Sequence, residues 1–510
     1  MSFRIVTTPL GGRPPALPEP RDGGFDAGIV PAFLPGPGVA EQVARLRQPG
    51  ALAVTTGQQP ALLGGPLYTL HKALAAVGLA RTLEQRWHRP VVPVFWVAGD
   101  DHDWAEAAGA AWTDDSRKVV QARLRDRGPA EPMAPLWREP VGSEIADVLD
   151  LLERTLPASE HRGAALDWAR RHFRPERSLA AAFGDAVAEL VAPFGVLCLD
   201  STHRAVKQAA SRHLVKALGL AADLERDLGR RAAALLDDGR DPGIEVGDGA
   251  TLVMLDGPGG RDRLVRDGDG FVTRRGGERY SMAALQAIAA AEPQRLSANV
   301  LLRPVVESAL LPTVAYCAGP GELRYLPLAR PVFERMRVHR PLAQPRWSGV
   351  VIDAHVDRAI ARFGLSLDEL LDPAADVLAR AARAHLSADT AAAIAGLRGD
   401  VTARYAAIRA GAASVDPTLV RPVEGAERRA LDGLARVEAK LIRNLKRRHE
   451  TELRQLARAR ESVLPRGRPQ ERIESIVSLL ARHGPAAPAA IAEAAAGWYA
   501  AALEGRPVPA

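Results

Sequence analysis

The stretch Val91–Glu106, VVPVFWVAGDDHDWAE, constrains the fold of this chain more than any other: nine largely apolar residues stop abruptly at Asp100, Asp101, His102 and Asp103. The apolar run reads as a strand. In an open α/β sheet ligands bind outside the carboxyl ends of parallel strands, so four ionisable groups stand where catalytic side chains are expected. The preceding residues complete a βαβ unit. Ala51–Thr55 is a short apolar strand, TGQQPALLGG a glycine-bearing loop, and PLYTLHKALAAVGLARTLEQRW a helix opened by Pro66 with apolar residues at helical spacing. A parallel pair needs such a crossover, and its right hand brings both loops to one edge of the sheet. The glutamine loop and the acidic cluster are therefore expected to be neighbours.

Two further strand candidates end in the same style, GVLCLD (Gly195–Asp200) and TVAYCAGPGE (Thr313–Glu322). The fold class is thus α/β, with a Rossmann-like parallel sheet, and 510 residues at 47% hydrophobic content suffice for a full core and a satellite unit. Residues 1–50 are rich in Pro and Gly and read as an extended lead-in. Residues 51–350 form the core, with insertions near 143–190, which is helical, and 220–291, where TLVMLD and RLVRDGDGFVTRR suggest a small hairpin. Residues 351–470 read as a helical arm. Leu397, Val401, Tyr405 and Ile408 share one face, Asp416-Pro417 breaks the pattern, and Leu434, Val437, Leu441 and Leu445 share another, which predicts an antiparallel helical hairpin. Arg448 and Glu452 interrupt a strict heptad, against a parallel zipper. Residues 471–510 are expected to form a helical tail packing back on the core through Trp498.

A net charge of +6 comes from arginines scattered among nearly as many acids, and the one dense basic run, Lys440–His449, lies on a long helix. Without interleaved aromatics or a recognised motif it reads as a solvated face, so no nucleic-acid partner is expected. No run of about 18 apolar residues and no secretory leader pattern occurs, so no membrane association is expected. Cys198 and Cys317 each lie inside an apolar strand and read as core thiols in a reducing cytoplasm.

The loop after the first strand has neither G-x-x-x-x-G-K-[ST] nor G-x-G-x-x-G. It nevertheless holds the parts of a polar-ligand site. Gly64 and Gly65 permit close backbone approach ahead of a helix N-terminus, Gln58 and Gln59 offer donors and acceptors, and Lys72 in the second helical turn can face a pocket or solvent. In the acidic cluster His102, between Asp101 and Asp103, can act as general acid or base with its pKa raised by those carboxylates. Asp101 and His102 could instead share an ion, but the remaining ligands of a transition metal are not evident, and no metal is expected there. A helix cap at Asp100 or Asp101 ahead of DWAEAAGAA is the structural alternative. Asn299 and Arg303 precede an apolar helix, where the guanidinium fork suits a carboxylate, and Gly319, Gly321 and Glu322 follow the strand that starts at Thr313.

TGQQPALLGGPLYTLHKAL, VPVFWVAGDDHDWAE, SANVLLRPVVESALLPTVAY and AGPGELRYLPLARPVFE together resemble the bacillithiol biosynthesis cysteine-adding enzyme family, in order from about Thr55 to Pro345. The resemblance implies a nucleotidyltransferase-like Rossmann core with two inserted subdomains and a C-terminal coiled-coil arm through which a homodimer forms. It also implies a ligase that adds L-cysteine to glucosaminyl-malate to form bacillithiol, with ATP as candidate cofactor by fold analogy. In that reading His102, with Asp101 or Asp103, manages protons. Gln58, Gln59, Gly64, Gly65 and Lys72 hold substrate polar groups, as do Gly319, Gly321 and Glu322, and Asn299 and Arg303 bind a carboxylate. Asp100, Glu307, Ser308 and Arg324 depart from the family's usual residues, which bears on substrate detail more than on class. The alternatives are a nucleotide or sugar-phosphate binding module with a dimerising arm, and a metal-dependent nucleotidyltransferase or hydrolase.

Overall fold

Strands β1 (Leu52–Gln58) and β2 (Val91–Val97) pair in parallel along their whole length, from Leu52 opposite Val91 to Gln58 opposite Val97, and helix α1 (Tyr68–Trp87) crosses between them. Every residue of β2 is buried, which is why its sequence is continuously apolar rather than alternating. Strands β3 (Leu197–Asp200), β4 (Thr313–Ala318) and β5 (Leu342–Pro345) complete an all-parallel sheet in the order β5-β4-β1-β2-β3. The chain winds outward through β1, β2 and β3, then returns to the other side of β1. The strand order therefore reverses between β1 and β4, and a crevice opens there beyond the carboxyl ends.

This computed structural model describes residues 3–15, 17, 19, 20 and 23–506. Those residues divide into two units, one within 4–351 and 470–506, the other of residues 352–469 with Phe3. Helix α1 is buried on nearly every side, between the sheet and the tail helix Ala486–Leu503. Gly78 makes that approach possible: a Cβ there would lie 2.8 Å from the carbonyl carbon of Ala495. Trp498 is buried in the tail helix.

Between β2 and β3 run the helices Ile145–Thr155, Arg162–His172 and Leu179–Val191. The helical reading of DWAEAAGAA is corrected. Helix survives only over Trp104–Ala107, and Gly109–Thr113 pairs antiparallel with Val119–Arg123 because Ala110, Ala111 and Trp112 are drawn into the core as strand residues. The second insertion exceeds a hairpin. It holds an antiparallel sheet in the spatial order Arg279–Tyr280, Gly270–Thr273, Gly260–Asp267, Ala250–Gly257, Leu296–Ala298. Its last strand pairs Ser297 with Met254 and delivers the chain to the head of the helix Arg303–Leu310.

In the second unit, Ala388–Val415 and Val420–Arg448 form the expected helical hairpin, turning at Asp416, whose carboxylate accepts the Thr418 N–H at 2.8 Å. Arg398 pairs with Glu438 at 2.7 Å and Arg409 with Glu427 at 3.2 Å, the mirrored numbering of an antiparallel pair. The second helix ends at Arg448, and after His449 a new helix runs from Glu450 to Val463. The helix thus breaks where the apolar repeat fails.

Candidate active site

A cavity of about 430 Å³ opens beyond the carboxyl ends of β1, β2 and β4, at the point where the strand order reverses. Lys72 reaches into it from the second turn of α1. Its Nζ donates to Gly57 O at 2.8 Å and Gln58 Oε1 at 3.1 Å, and lies 2.7 Å from Glu322 Oε2. Burial pulls the Lys72 ammonium below its ordinary pKa, and Glu322 opposes that. Glu322 stays a carboxylate despite its own burial, because Lys72, the Tyr316 hydroxyl at 2.6 Å and the Gly319 N–H at 2.7 Å all stabilise its charge. Behind it Arg303 donates to Glu307 Oε2 at 2.6 Å and Tyr316 Oη at 3.0 Å, with its guanidinium 5.2 Å from the centre of the Tyr316 ring. Burial raises the Glu307 pKa, and Arg303 is the chief opposing influence.

The opposite wall comes from the acidic cluster and the second insertion. Asp100 Oδ1 accepts from Lys207 Nζ at 2.5 Å, and the same ammonium donates to Leu296 O at 3.0 Å. Asp101 folds one oxygen over the N–H groups of His102 and Asp103. Arg261 donates to Ser297 Oγ at 2.9 Å and Ala298 O at 2.8 Å, and places Nη1 3.2 Å from His102 Nδ1. A guanidinium can only donate, so Nδ1 accepts and neutral His102 carries its proton on Nε2. The expected rise in the His102 pKa is corrected: it is lowered, first by burial and then by Arg261, and Asp101 only partly offsets this.

Gln58, Gln59, Lys72, Asp101, His102, Asn299, Arg303 and Glu322 all line this cavity. Gln59 Nε2 is buried without a hydrogen-bond partner. Asn299 Oδ1 accepts the N–H groups of Leu301 and Leu302 at 3.0 Å, which leaves its amide nitrogen to the cavity. Other candidates lie outside the lining. Asp103 caps the short helix Trp104–Ala107 by accepting the Glu106 N–H at 3.0 Å, so the cap falls on it rather than on Asp100 or Asp101. Gly64 and Gly65 turn with φ of 81° and 77° against Trp168, Ile476 and Thr69. Gly319 caps the helix Pro320–Tyr325, and Gly321 is exposed on it. Both cysteines are buried and unpaired, and burial pushes the Cys317 thiol up to about 12, which excludes a thiolate at neutral pH.

Sequence reasoning missed Lys207, Arg261, Arg263 and Tyr316, all of which line the cavity. Only Tyr316 left a signal, as the one hydroxyl-bearing aromatic in an otherwise apolar strand ending beside Glu322. Arg263 is half-buried, and its side chain makes no hydrogen bond or ion pair among the described residues. Burial, Arg274 and Arg261 all work against its charge.

An all-parallel sheet with a polar cavity at its switch point, together with a separate helical hairpin, defines a Rossmann-like protein with a coiled-coil arm. Residues 34–347 match the family model described as bacillithiol biosynthesis BshC, N-terminal Rossmann-like domain, and residues 349–494 match its C-terminal coiled-coil domain. The chain belongs to this family. Similar chains include one from Symbiobacterium thermophilum, 30% identical over 87% of this chain and 82% of its own length, and one from Solibacter usitatus, 30% identical over 88% and 83%. A third, from Bacillus licheniformis, is 28% identical over 87% and 82%. All three bear the name "Putative cysteine ligase BshC".

Proposed function

We propose that the cavity joins the carboxyl carbon of L-cysteine to the amine of glucosaminyl-malate, forming the amide of bacillithiol. Family membership supports the class of reaction. The observation that carries the substrate assignment is Arg263, a half-buried guanidinium on the cavity wall that forms no ion pair among the described residues and is suited to the malate carboxylates. Arg303 is committed to Glu307 and Tyr316, so it serves as a positioning residue that fixes Tyr316 and Glu322, while Asn299 and Gln59 supply amide N–H groups to the substrate.

A free carboxylate does not acylate an amine until one of its oxygens becomes a leaving group. ATP is the candidate activator, supplying the phosphoryl or adenylyl group that carries this oxygen away. With Arg263 given to the malate, the Gln59 amide, buried without a partner, is the group here that fits a phosphate oxygen. The amine must also lose a proton before it attacks and another afterwards. Asp101, with one oxygen uncommitted, is the acceptor we assign; His102 is held with its proton on Nε2 and orients the carbonyl oxygen as a donor. Gly64 and Gly65 shape the loop after β1, and Gly319 and Asp103 cap the short helices beside these groups, with Gly321 on the first of them.

Incubation of the purified protein with cysteine, glucosaminyl-malate and ATP should yield bacillithiol by mass. No product with verified substrates and folded protein would overturn the assignment. The proposed partner is a second copy, through Leu397, Ile408, Val437 and Leu441, which stay exposed on the helical hairpin. No helix among the described residues is long and apolar enough to cross a membrane. A reducing cytoplasm is proposed from the two unpaired thiols.

A further inference from the structure

Where the long helix of the second unit ends, three side chains converge that the ligase reading does not use. His449 stands between Val420–Arg448 and Glu450–Val463, Glu452 lies in the first turn of the latter, and His385 follows the helix Val377–Arg383. The two imidazoles stack with ring centres 3.7 Å apart and planes 13° from parallel. His385 Nε2 lies 3.7 Å, and His449 Nδ1 3.8 Å, from the same oxygen, Glu452 Oε2. The three ligand atoms lie within 4.8 Å of one another.

These separations are too long for hydrogen bonds, which fall near 2.7–3.2 Å. They are close to the spacing of ligands around one ion: a tetrahedral centre with bonds of about 2.0–2.1 Å sets its ligands about 3.4 Å apart. Each imidazole nitrogen needs to approach the carboxylate oxygen by a few tenths of an ångström, and a splay of the stacked rings about Cβ–Cγ, which also closes the two nitrogens from their separation of no more than 4.8 Å, turns both lone pairs and the carboxylate toward a common point. The other oxygen, Glu452 Oε1, accepts from Arg362 Nη2 at 3.0 Å, and Arg362 also donates to Gln455 at 3.1 Å. The carboxylate is thus oriented by a partner outside the ligand set, as metal-binding carboxylates commonly are.

We propose that His385, His449 and Glu452 bind a divalent first-row transition metal of the zinc class, with a fourth position open to water or a further ligand. Two imidazoles and one carboxylate select zinc over magnesium or calcium, which prefer all-oxygen sites. All three ligands lie at the end of the helical hairpin, so the ion ties the segment after Val377–Arg383 to the junction of the next two helices. This is independent of any metal in the sheet cavity, where none is proposed.

The test uses the full-length, tag-free protein stripped with chelator and titrated with Co²⁺. Wild type should take up one equivalent with the intense visible bands of a four-coordinate centre, and Zn²⁺ should bleach them. Zn²⁺ should also raise the Tm of the stripped protein. H385Q/H449Q should lose both responses, and the milder single variant H385Q, at an exposed position, keeps the test valid if the double variant unfolds. Equal binding by wild type and H385Q, or only the faint spectrum of hexa-aqua-like cobalt, would overturn the proposal.

Discussion

At Lys72 a single ammonium closes three gaps, to the β1 carbonyl, to Gln58 and to Glu322. Removing it by K72M leaves Glu322 buried without its cation, which should destabilise the fold by about 3–5 kcal/mol, and K72M/E322Q should recover most of that loss in a urea-denaturation cycle. Additive effects in that cycle would mean that the two groups are not coupled. His102 yields a prediction about pH. Its pKa is held below the ordinary 6.5, so it is neutral at pH 7 and protonates only in acid. The acid limb of kcat/KM due to this group should therefore lie below about 6.5. In R261Q, which removes the second largest cause of the depression, the limb should move upward. A limb that stays in place would remove Arg261 from this role.

Among elements, α1 and the tail helix Ala486–Leu503 approach closely only because position 78 has no side chain. G78A places a methyl against the Ala495 backbone, and should cost about 1–3 kcal/mol, read as a lowered Tm, because backbone can yield only if the tail shifts. The helical hairpin has the opposite character. No residue of Ala388–Val415 is buried, and Leu397, Ile408 and Val437 are each more than half exposed. If the hairpin is the proposed seam between two copies, I408E/V437E should sediment as a monomer under conditions where the unsubstituted chain pairs, without losing helical content. Pairing that survives the substitutions, or an unsubstituted chain that never pairs, would overturn that proposal.

Across the first unit, the tail closes on the sheet domain through a buried ion cluster. Glu471 accepts from Arg346 Nη1 at 2.8 Å, and its Oε2 lies 2.7 Å from His71 Nδ1, with all three side chains nearly inaccessible. Burial alone would raise the Glu471 pKa. His71 and Arg346 reverse this and depress it from 4.5 to about 2. A depressed carboxylate contributes stability above its unfolded pKa and loses it as pH falls through the folded one. About 3 kcal/mol should thus disappear between roughly pH 4.5 and 2. E471Q should flatten that acid limb in pH-dependent unfolding while lowering stability at pH 7, where Arg346 is left uncompensated.

The βαβ unit, the shared strand ending and the helical hairpin were legible in the chain because each is encoded by local periodicity and turn residues. Right-handed crossover then puts Gln58 and His102 at one sheet edge, and leaves Lys72 open between pocket and solvent. Other features depended on distant partners. DWAEAAGAA lost most of its helix to strand pairing, the second insertion grew to a full sheet, and Gly64 turned under Trp168 and Ile476 and Gly65 against Thr69 and Ala61, both outside the cavity lining. Lys207 meets Asp100 across 107 residues, and Arg261 meets His102 across 159. The sheet, its candidate edge and the first residues on it follow from local pattern alone. The lowered pKa of His102, the commitment of Arg303 and the absence of an ion pair at Arg263 arise only in the folded chain. Burial and ion pairing act over a few ångströms between residues far apart in the chain, and no local pattern records them.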